Sequence, residues 1–234
     1  MESKDHPKVV ILWTHPRAMS TVFERTLLER EDCVIFHEPF TSAFYFGPSQ
    51  ERRSERYEND PEVGEYNYAT IIEHLLSGGT EFEFVRDVRG EGGELRFVYA
   101  KCMAYCVMDE EGNLFPEAAP LFDSALPITH TFLARTPFKS VPSLHVLSVD
   151  ESEEGVGWDH FDEREVGIKA LLHLASIIQS DHIQENIHII NADDLRRDPT
   201  GAIRGFCEAG GVEYDEGMLS WEDKEIPEWV MWKV

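Results

Sequence analysis

A short apolar run, VVILW at residues 9–13, passes directly into the polar segment THPRAMST at 14–21 and then into a helical pattern. Short runs rich in β-branched residues are typical of buried parallel strands. The capping-box spacing of Thr21 and Glu24 predicts that the helix begins near Ser20 or Thr21. Strand, loop and helix in this order is the usual setting of a phosphate-binding loop, because the free N–H groups at a helix start favour an anion.

The alternation of apolar stretches with helical patterns predicts an α/β three-layer sandwich, in which helices cover both faces of a central parallel sheet. Strands or extended segments are predicted at 9–14, 33–36, 82–85, 97–100, 131–134 and 187–190, further helices at 67–77, 163–181 and 198–210, and irregular structure at 41–66. Ligands of such sheets bind at the carboxyl ends of the strands. Four polar residues fall just beyond predicted strands: Arg17, Glu38, Lys101 and Arg135.

Bulk properties narrow the class of protein. A chain of 234 residues suits one α/β domain, so we predict a single domain over 1–234. The net charge of −24 argues against a nucleic-acid partner, whose phosphates would be repelled.

The sequence contains neither an apolar run near the ~20 residues of a membrane span nor the apolar core of a signal peptide, which predicts a cytoplasmic protein. The four cysteines are scattered, so we expect reduced thiols and no metal site.

The opening loop lacks the GxxxxGK(S/T) pattern of a Walker A motif, so ordinary ATP or GTP binding is not expected. Arg17 nevertheless adds a fixed positive charge, and Ser20 and Thr21 add hydroxyl donors beside the helix start. Two interpretations remain open from the residues alone. Either the loop binds an anion, or the two hydroxyl groups only cap the helix.

A second segment, FLARTPFKSVPSLH at 132–145, places Arg135 at the end of a predicted strand and Ser143 eight residues later. If a helix begins after Pro137, the side chains of Arg135 and Ser143 return to the same place. The two residues would then bind one phosphate group. Taken alone this pattern is weak, because an arginine at a strand end is common.

Together these segments resemble the sulfotransferases that use 3′-phosphoadenosine 5′-phosphosulfate (PAPS). The likeness is greatest to a branch of small sulfotransferase-like proteins of bacteria and fungi, which carry similar segments in the same order. Here they read PRAMSTVFER at 16–25, FHEPF at 36–40, KCMAY at 101–105, HTFLARTPFKSVPS at 130–143 and NADDLRRDP at 191–199. The resemblance implies a P-loop NTPase-like fold and transfer of a sulfuryl group from PAPS to a small molecule, with the desulfated nucleotide PAP as the product.

The resemblance also implies roles for particular residues. In the family the early loop holds the 5′-phosphosulfate, and a later Arg…Ser pair holds the 3′-phosphate. The implied cofactor-binding residues are Arg17, Ser20, Thr21, Arg135 and Ser143. Arg17 would also stabilise the leaving 5′-phosphate oxygen, and Lys101 stands where the family has a lysine near the reaction centre.

The acceptor, a hydroxyl or amine of a small molecule, needs a general base. Many family members have a histidine two residues after that lysine, but this chain has Met103. Glu38 is the predicted base, because some branches of the superfamily use a glutamate, and His37 is the second candidate. The alternatives are a structural hydrogen bond from Glu38 to the opening loop and a buried structural role for His37.

Departures from the family pattern keep other hypotheses open. Ala18 and Met19 replace a small flexible pair, Thr136 stands where an aspartate is common, and the C-terminus lacks the glycine-rich segment that closes over the 3′-phosphate. A protein that binds a ligand without sulfuryl transfer is therefore the main alternative, and an ATP-dependent P-loop kinase is a third. Segment 41–57 is predicted to form an acceptor pocket, a lid or a surface loop. The acidic stretch 150–165 is predicted to be a solvated loop or a site for a cationic substrate. A homodimer stays open.

Overall fold

The computed structural model describes residues 7–47, 67–149 and 160–220. Within these residues one six-stranded sheet has the order β3-β2-β4-β1-β5-β6. Its strands are β1 Lys8–Thr14, β2 Cys33–His37, β3 Val85–Asp87, β4 Phe97–Met103, β5 Ile128–Ala134 and β6 His188–Asn191. Every neighbouring pair is parallel except β2 and β3, which are antiparallel at the edge. The predicted α/β class with a central, mostly parallel sheet is confirmed.

Helices cover both faces of the sheet. They are α1 Ser20–Arg25, α2 Pro39–Phe46, α3 Tyr68–Ser77, α4 Pro137–Ser148, α5 Ile168–Ser180, α6 Ala192–Arg197 and α7 Pro199–Gly210. Alternate residues of β1 enter opposite cores: Ile11 packs in the core beneath α2, α3 and α5, whereas Leu12 packs in the core beneath α1, α6 and α7. The period-two alternation of a strand buried on both sides thus produces the three layers.

Several predicted boundaries were wrong. The segment 41–66 is not irregular throughout, because it overlaps helix α2, which Pro39 opens at its first turn. The helix predicted from 163 starts at Ile168, since Gly167 adopts a left-handed conformation (φ 69°) that separates it from a 3₁₀ turn at Glu163–Val166. The strand predicted at 82–85 forms only at Val85–Asp87, and helix α6 was not predicted.

Other predictions fall partly or wholly outside the described residues. These are residues 48–66, most of the acidic stretch and the aromatic C-terminal segment. Within the described ranges the four cysteines are buried free thiols. No helix in those ranges has the length and apolar composition that crossing a bilayer requires.

One buried histidine makes the stability of the fold depend on pH. Trp13 donates its indole N–H to Nδ1 of His130 at 3.0 Å, and the ring of His130 stacks on Trp13 and Phe122. Burial lowers the pKa of His130 from 6.5 to about 3. The folded chain therefore holds this histidine neutral over a pH range in which the unfolded chain protonates it. The resulting stability is complete above the unfolded pKa and is lost as pH falls from 6.5 towards 3.

We expect His130→Gln to remove this pH dependence, because the amide still offers Trp13 an acceptor but binds no proton. Between about pH 7.5 and about pH 5, His130 should contribute about 2 kcal/mol to the loss of unfolding free energy. Urea unfolding of the wild type and the variant at both pH values gives this difference directly. His182→Gln, at an exposed histidine, is the control and should leave the pH dependence unchanged. An identical pH dependence in the wild type and His130→Gln would contradict the argument.

Candidate active site

The four predicted strand-end residues lie at one edge of the sheet. Strands β2, β4, β1 and β5 are consecutive neighbours and run parallel, so their carboxyl ends meet. Arg17, Glu38 and Arg135 follow β1, β2 and β5 within three residues, whereas Lys101 lies inside β4 and pairs in register with His37 of β2. The predicted position just beyond a strand is confirmed for Arg17, Glu38 and Arg135 but is wrong for Lys101, because β4 continues to Met103.

Three non-glycine residues at this edge have left-handed backbone conformations. The φ angles are 62° at Arg17, 69° at Met19 and 51° at Glu38. Such angles cost on the order of 1 kcal/mol or more for residues with a Cβ and cluster at functional sites. Met19, not Ser20 or Thr21, is the N-cap residue of α1, and its side chain makes no capping hydrogen bond. The loop after β1 thus holds two left-handed conformations, at Arg17 and Met19, that glycine adopts more easily than residues with a Cβ.

Two arginines and a serine meet beside this loop. Arg17 donates from Nε to the hydroxyl of Ser143 at 2.9 Å, and Arg135 donates from Nη1 to the carbonyl of Arg17 at 2.8 Å. Burial and the nearby charge of Arg135 lower the pKa of Arg17. Among the described residues neither guanidinium forms an ion pair with a carboxylate. The pKa of Asp193 is lowered mainly by its hydrogen bond with Lys139, and the charge of Arg135 also lowers it. The cluster therefore brings together positive charge that an anion would balance.

His15 links the loops after β1 and β5, a role that sequence reasoning missed. Its ring is buried, with Nδ1 3.0 Å from the carbonyl of Pro16 and Nε2 accepting the backbone N–H of Arg135 at 3.0 Å. The two partners require a neutral ring with its proton on Nδ1. Burial lowers the pKa of His15, which favours that state. The signal in the sequence was a histidine between an apolar strand and Arg17, but its partner lies 120 residues away.

A fully buried ammonium lies on the other side of the loop. Nζ of Lys101 is 2.9 Å from Oε1 of Glu38, 3.5 Å from Oε2 of Glu24 and 3.5 Å from the hydroxyl of Thr21. Burial acts to lower the pKa of Lys101, but the charges of Glu38 and Glu24 outweigh it and the net shift is upward. Lys101 is therefore a permanent cation beside the start of α1.

Glu24 connects Lys101 to the second candidate base. Nδ1 of His37 lies 2.9 Å and 3.1 Å from the two carboxylate oxygens of Glu24, and both side chains are buried. We call His37, Glu24, Lys101 and Glu38 the buried network. Only Glu38 has appreciable exposure, at 17% of its side chain. Glu24, which sequence reasoning treated as a helix-capping residue, is thus a central member of the network.

A cavity of about 570 Å³ adjoins the opening loop. Aromatic side chains of Phe44, Tyr105 and Phe115 contribute to its wall, and Gly167 closes it against the loop. A Cβ on Gly167 would lie 3.0 Å from the Tyr105 ring and 3.4 Å from Cβ of His15. The volume suits a small organic molecule. The wall is also strongly polar and acidic, and its carboxylates belong to Asp109, Glu110, Glu111, Asp162, Glu163 and Glu165. Arg17, Glu38 and Lys101 do not line it. Phe44 belongs to the segment 41–57 that was predicted as an acceptor pocket.

Comparison with solved structures identifies the type of fold. The chain superposes on a crystal structure of a sulfotransferase from Alicyclobacillus acidocaldarius with a TM-score of 0.50 and 18% sequence identity, over 93% of this chain and 86% of that one. The chain has a sulfotransferase-like fold. No family model matches the sequence.

Two curated relatives from Arabidopsis thaliana match nearly the whole chain at low identity. They are branched-chain-amino-acid aminotransferase-like proteins 1 and 2, at 25% identity over 231 residues and 23% over 227. The matches cover 97% and 96% of this chain but only 35% and 34% of the relatives. The chain thus spans about a third of their length, and their names describe much longer proteins.

The hydrogen bonds around the opening loop divide the predicted site residues into two groups. Arg17, Arg135 and Ser143 form the arginine cluster, while Thr21 touches the buried network through Lys101. Ser20 is buried at the first residue of α1, and within the described residues no side-chain hydrogen bond joins it to either group. The arginines therefore place positive charge on one side of the loop, whereas Lys101 on the other side is paired with the carboxylates of Glu38 and Glu24.

Proposed function

We propose that this chain transfers a sulfuryl group from PAPS to a hydroxyl or amine of a small molecule. The observation that carries the proposal is the arginine cluster of Arg17, Arg135 and Ser143 at the carboxyl edge of the sheet. Two guanidinium groups without a carboxylate partner among the described residues fit a ligand with more than one anionic group. PAPS has such groups at both ends of its ribose.

The residues present fit the two ends of the nucleotide. Arg135 and Ser143 would hold the 3′-phosphate, while Arg17, Ser20, Thr21 and the N-terminus of α1 would hold the 5′ end. PAPS, when bound, would supply the sulfuryl group: its S–O bond to the 5′-phosphate would break as an S–O bond to a hydroxyl acceptor or an S–N bond to an amine forms, and the electron pair would stay on the phosphate oxygen. A site for the 3′-phosphate would let the protein distinguish PAPS from nucleotides that lack this group.

The chain itself would contribute positive charge, a general base and a pocket for the acceptor. Arg17 and Lys101 place positive charge where negative charge develops on the leaving oxygen. Glu38, the most exposed member of the buried network, would take the acceptor proton. The cavity bounded by Phe44 and Tyr105 would hold the acceptor near the opening loop. The net charge of −24 disfavours a nucleic-acid acceptor.

A specific observation favours one alternative, ligand binding without transfer. The position of the family histidine is occupied by Met103, which is buried and has no proton to exchange. In this alternative the buried network is structural and the arginine cluster binds an anionic ligand that does not react. The names of the Arabidopsis relatives provide no third candidate, because the chain covers only about a third of those proteins.

Incubation with ³⁵S-labelled PAPS and a mixture of simple phenols, alcohols and amines tests the proposal. We expect label in an organic product, and equal transfer with or without EDTA, because cationic side chains take the place of a metal ion. Loss of transfer with EDTA would favour a metal-dependent P-loop mechanism. Binding of PAP without transfer to any class of acceptor would favour the non-transferring alternative.

A further inference from the structure

The buried network contains one carboxylate to which the proposed reaction gives no role. Glu24 is 1% exposed and projects from α1, the helix that begins at the opening loop. It accepts the Nδ1 hydrogen bond of His37 and lies 3.5 Å from the ammonium of Lys101. Burying a carboxylate is costly unless its charge is compensated, so its place beside Lys101 needs an explanation.

The charges around Lys101 change during the proposed reaction. In the resting state the ammonium faces two carboxylates, those of Glu38 at 2.9 Å and Glu24 at 3.5 Å. When the acceptor O–H or N–H gives its proton to Glu38, that carboxylate becomes neutral. One anionic partner then remains for a lysine that is fully buried, and that partner is Glu24. Without it, burial would drive the proton off Lys101.

We propose that Glu24 is a positioning residue, the permanent counter-ion that keeps Lys101 protonated and in place while Glu38 accepts the proton of the acceptor. This inference rests on the proposed sulfuryl transfer. His37 orients the Glu24 carboxylate by donating a hydrogen bond to it from Nδ1. In this proposal His37 positions Glu24, and Glu38 is the general base.

The other titratable groups beside Glu24 and Lys101 do not replace this counter-ion. Tyr99 and Cys102 flank Lys101 on β4, and burial raises the pKa of both, so each stays neutral. The Tyr99 hydroxyl has no hydrogen-bond partner among the described residues. Thr21 offers Lys101 only a neutral hydroxyl. The negative charge near Lys101 therefore comes from Glu24 and Glu38.

The direct test is the protonation state of Lys101 in the intact protein. NMR of protein labelled with ¹³Cε-lysine follows each lysine through a pH titration, and Lys101→Met identifies the Lys101 signal by its loss. We expect Glu24→Gln to make Lys101 lose its proton at a pH lower than in the wild type by about one unit or more. Glu29→Gln, at an exposed carboxylate that follows α1, is the matched control and should leave the titration unchanged. An unchanged titration in Glu24→Gln overturns the proposal.

Turnover separates a charge effect from a structural one. With ³⁵S transfer from PAPS to the acceptor mixture as the readout, Glu24→Gln should lose about tenfold or more in turnover, with a loss that grows as pH rises, and keep its calorimetric affinity for PAP within about twofold. Glu24→Asp retains the charge and should recover the wild-type pH profile. If Glu24→Asp behaves like Glu24→Gln, the counter-ion role is wrong. If the wild type binds no PAP, the proposed function fails, while the lysine titration still decides whether Glu24 controls Lys101.

Discussion

Glu38→Gln is expected to reduce sulfuryl transfer by about 10²- to 10⁴-fold while leaving the affinity for PAP within about twofold of the wild type. The amide has nearly the shape of the carboxylate and still offers Lys101 an oxygen, so the network keeps its geometry. It has no basic site for the acceptor proton at neutral pH. The measurement is ³⁵S transfer from PAPS under saturating nucleotide, with calorimetry of PAP binding on the same preparation.

Glu208→Gln provides the control for this variant, because Glu208 is an exposed carboxylate on α7 outside the site. It should transfer at the wild-type rate. Transfer by Glu38→Gln at a similar rate would remove Glu38 as the base and move that role to another residue. Parallel loss of transfer and PAP affinity would mean that Glu38 supports the nucleotide site instead.

Arg135→Ala should weaken PAP binding by about 10- to 100-fold, the loss expected for one charge-assisted contact to a phosphate. Adenosine 5′-phosphosulfate lacks the 3′-phosphate, so its weaker binding should change by about twofold or less. The difference between the two nucleotides is the informative quantity, because Arg135 also supports the carbonyl of Arg17 and its loss loosens the loop for both ligands.

Lys139→Ala serves as the matched control for Arg135→Ala. Lys139 lies four residues further along the chain, on α4, and its ammonium pairs with Asp193. Its removal deletes a positive charge near the cluster without deleting a proposed contact, so both nucleotides should bind nearly as before. Equal losses of PAP and adenosine 5′-phosphosulfate in Arg135→Ala would contradict the 3′-phosphate role.

The sheet and its functional edge could be predicted from the sequence because they depend on local signals. Strands β1, β2 and β4 are continuous apolar runs, and parallel neighbours necessarily bring their carboxyl ends together. Arg17 follows β1 and Arg135 follows β5, and these two strands are parallel neighbours in the sheet, so the two arginines lie close together. The helix after Pro137 could also be anticipated, because proline is favoured in the first turn.

The remaining features depend on contacts between distant segments. Glu24 has the spacing of a capping box, and only tertiary packing turns it towards His37 and Lys101. Helix α2 overlaps the segment 41–66 that was predicted to be irregular. Packing of Phe40 and Tyr45 in the core outweighs the weak helix propensity of the local sequence. The left-handed conformations at the loop carry no residue signal, because the sequence has no glycine there.

The central claim is that the arginine cluster and the opening loop bind a nucleotide through its 3′-phosphate. Calorimetric titration of the wild-type chain with PAP, and separately with ATP and Mg²⁺, tests this claim most directly. We predict selective binding of PAP, with ATP binding far more weakly or without detectable heat. Binding of neither nucleotide by well-folded protein, or binding of ATP with Mg²⁺ as tightly as PAP, would contradict it.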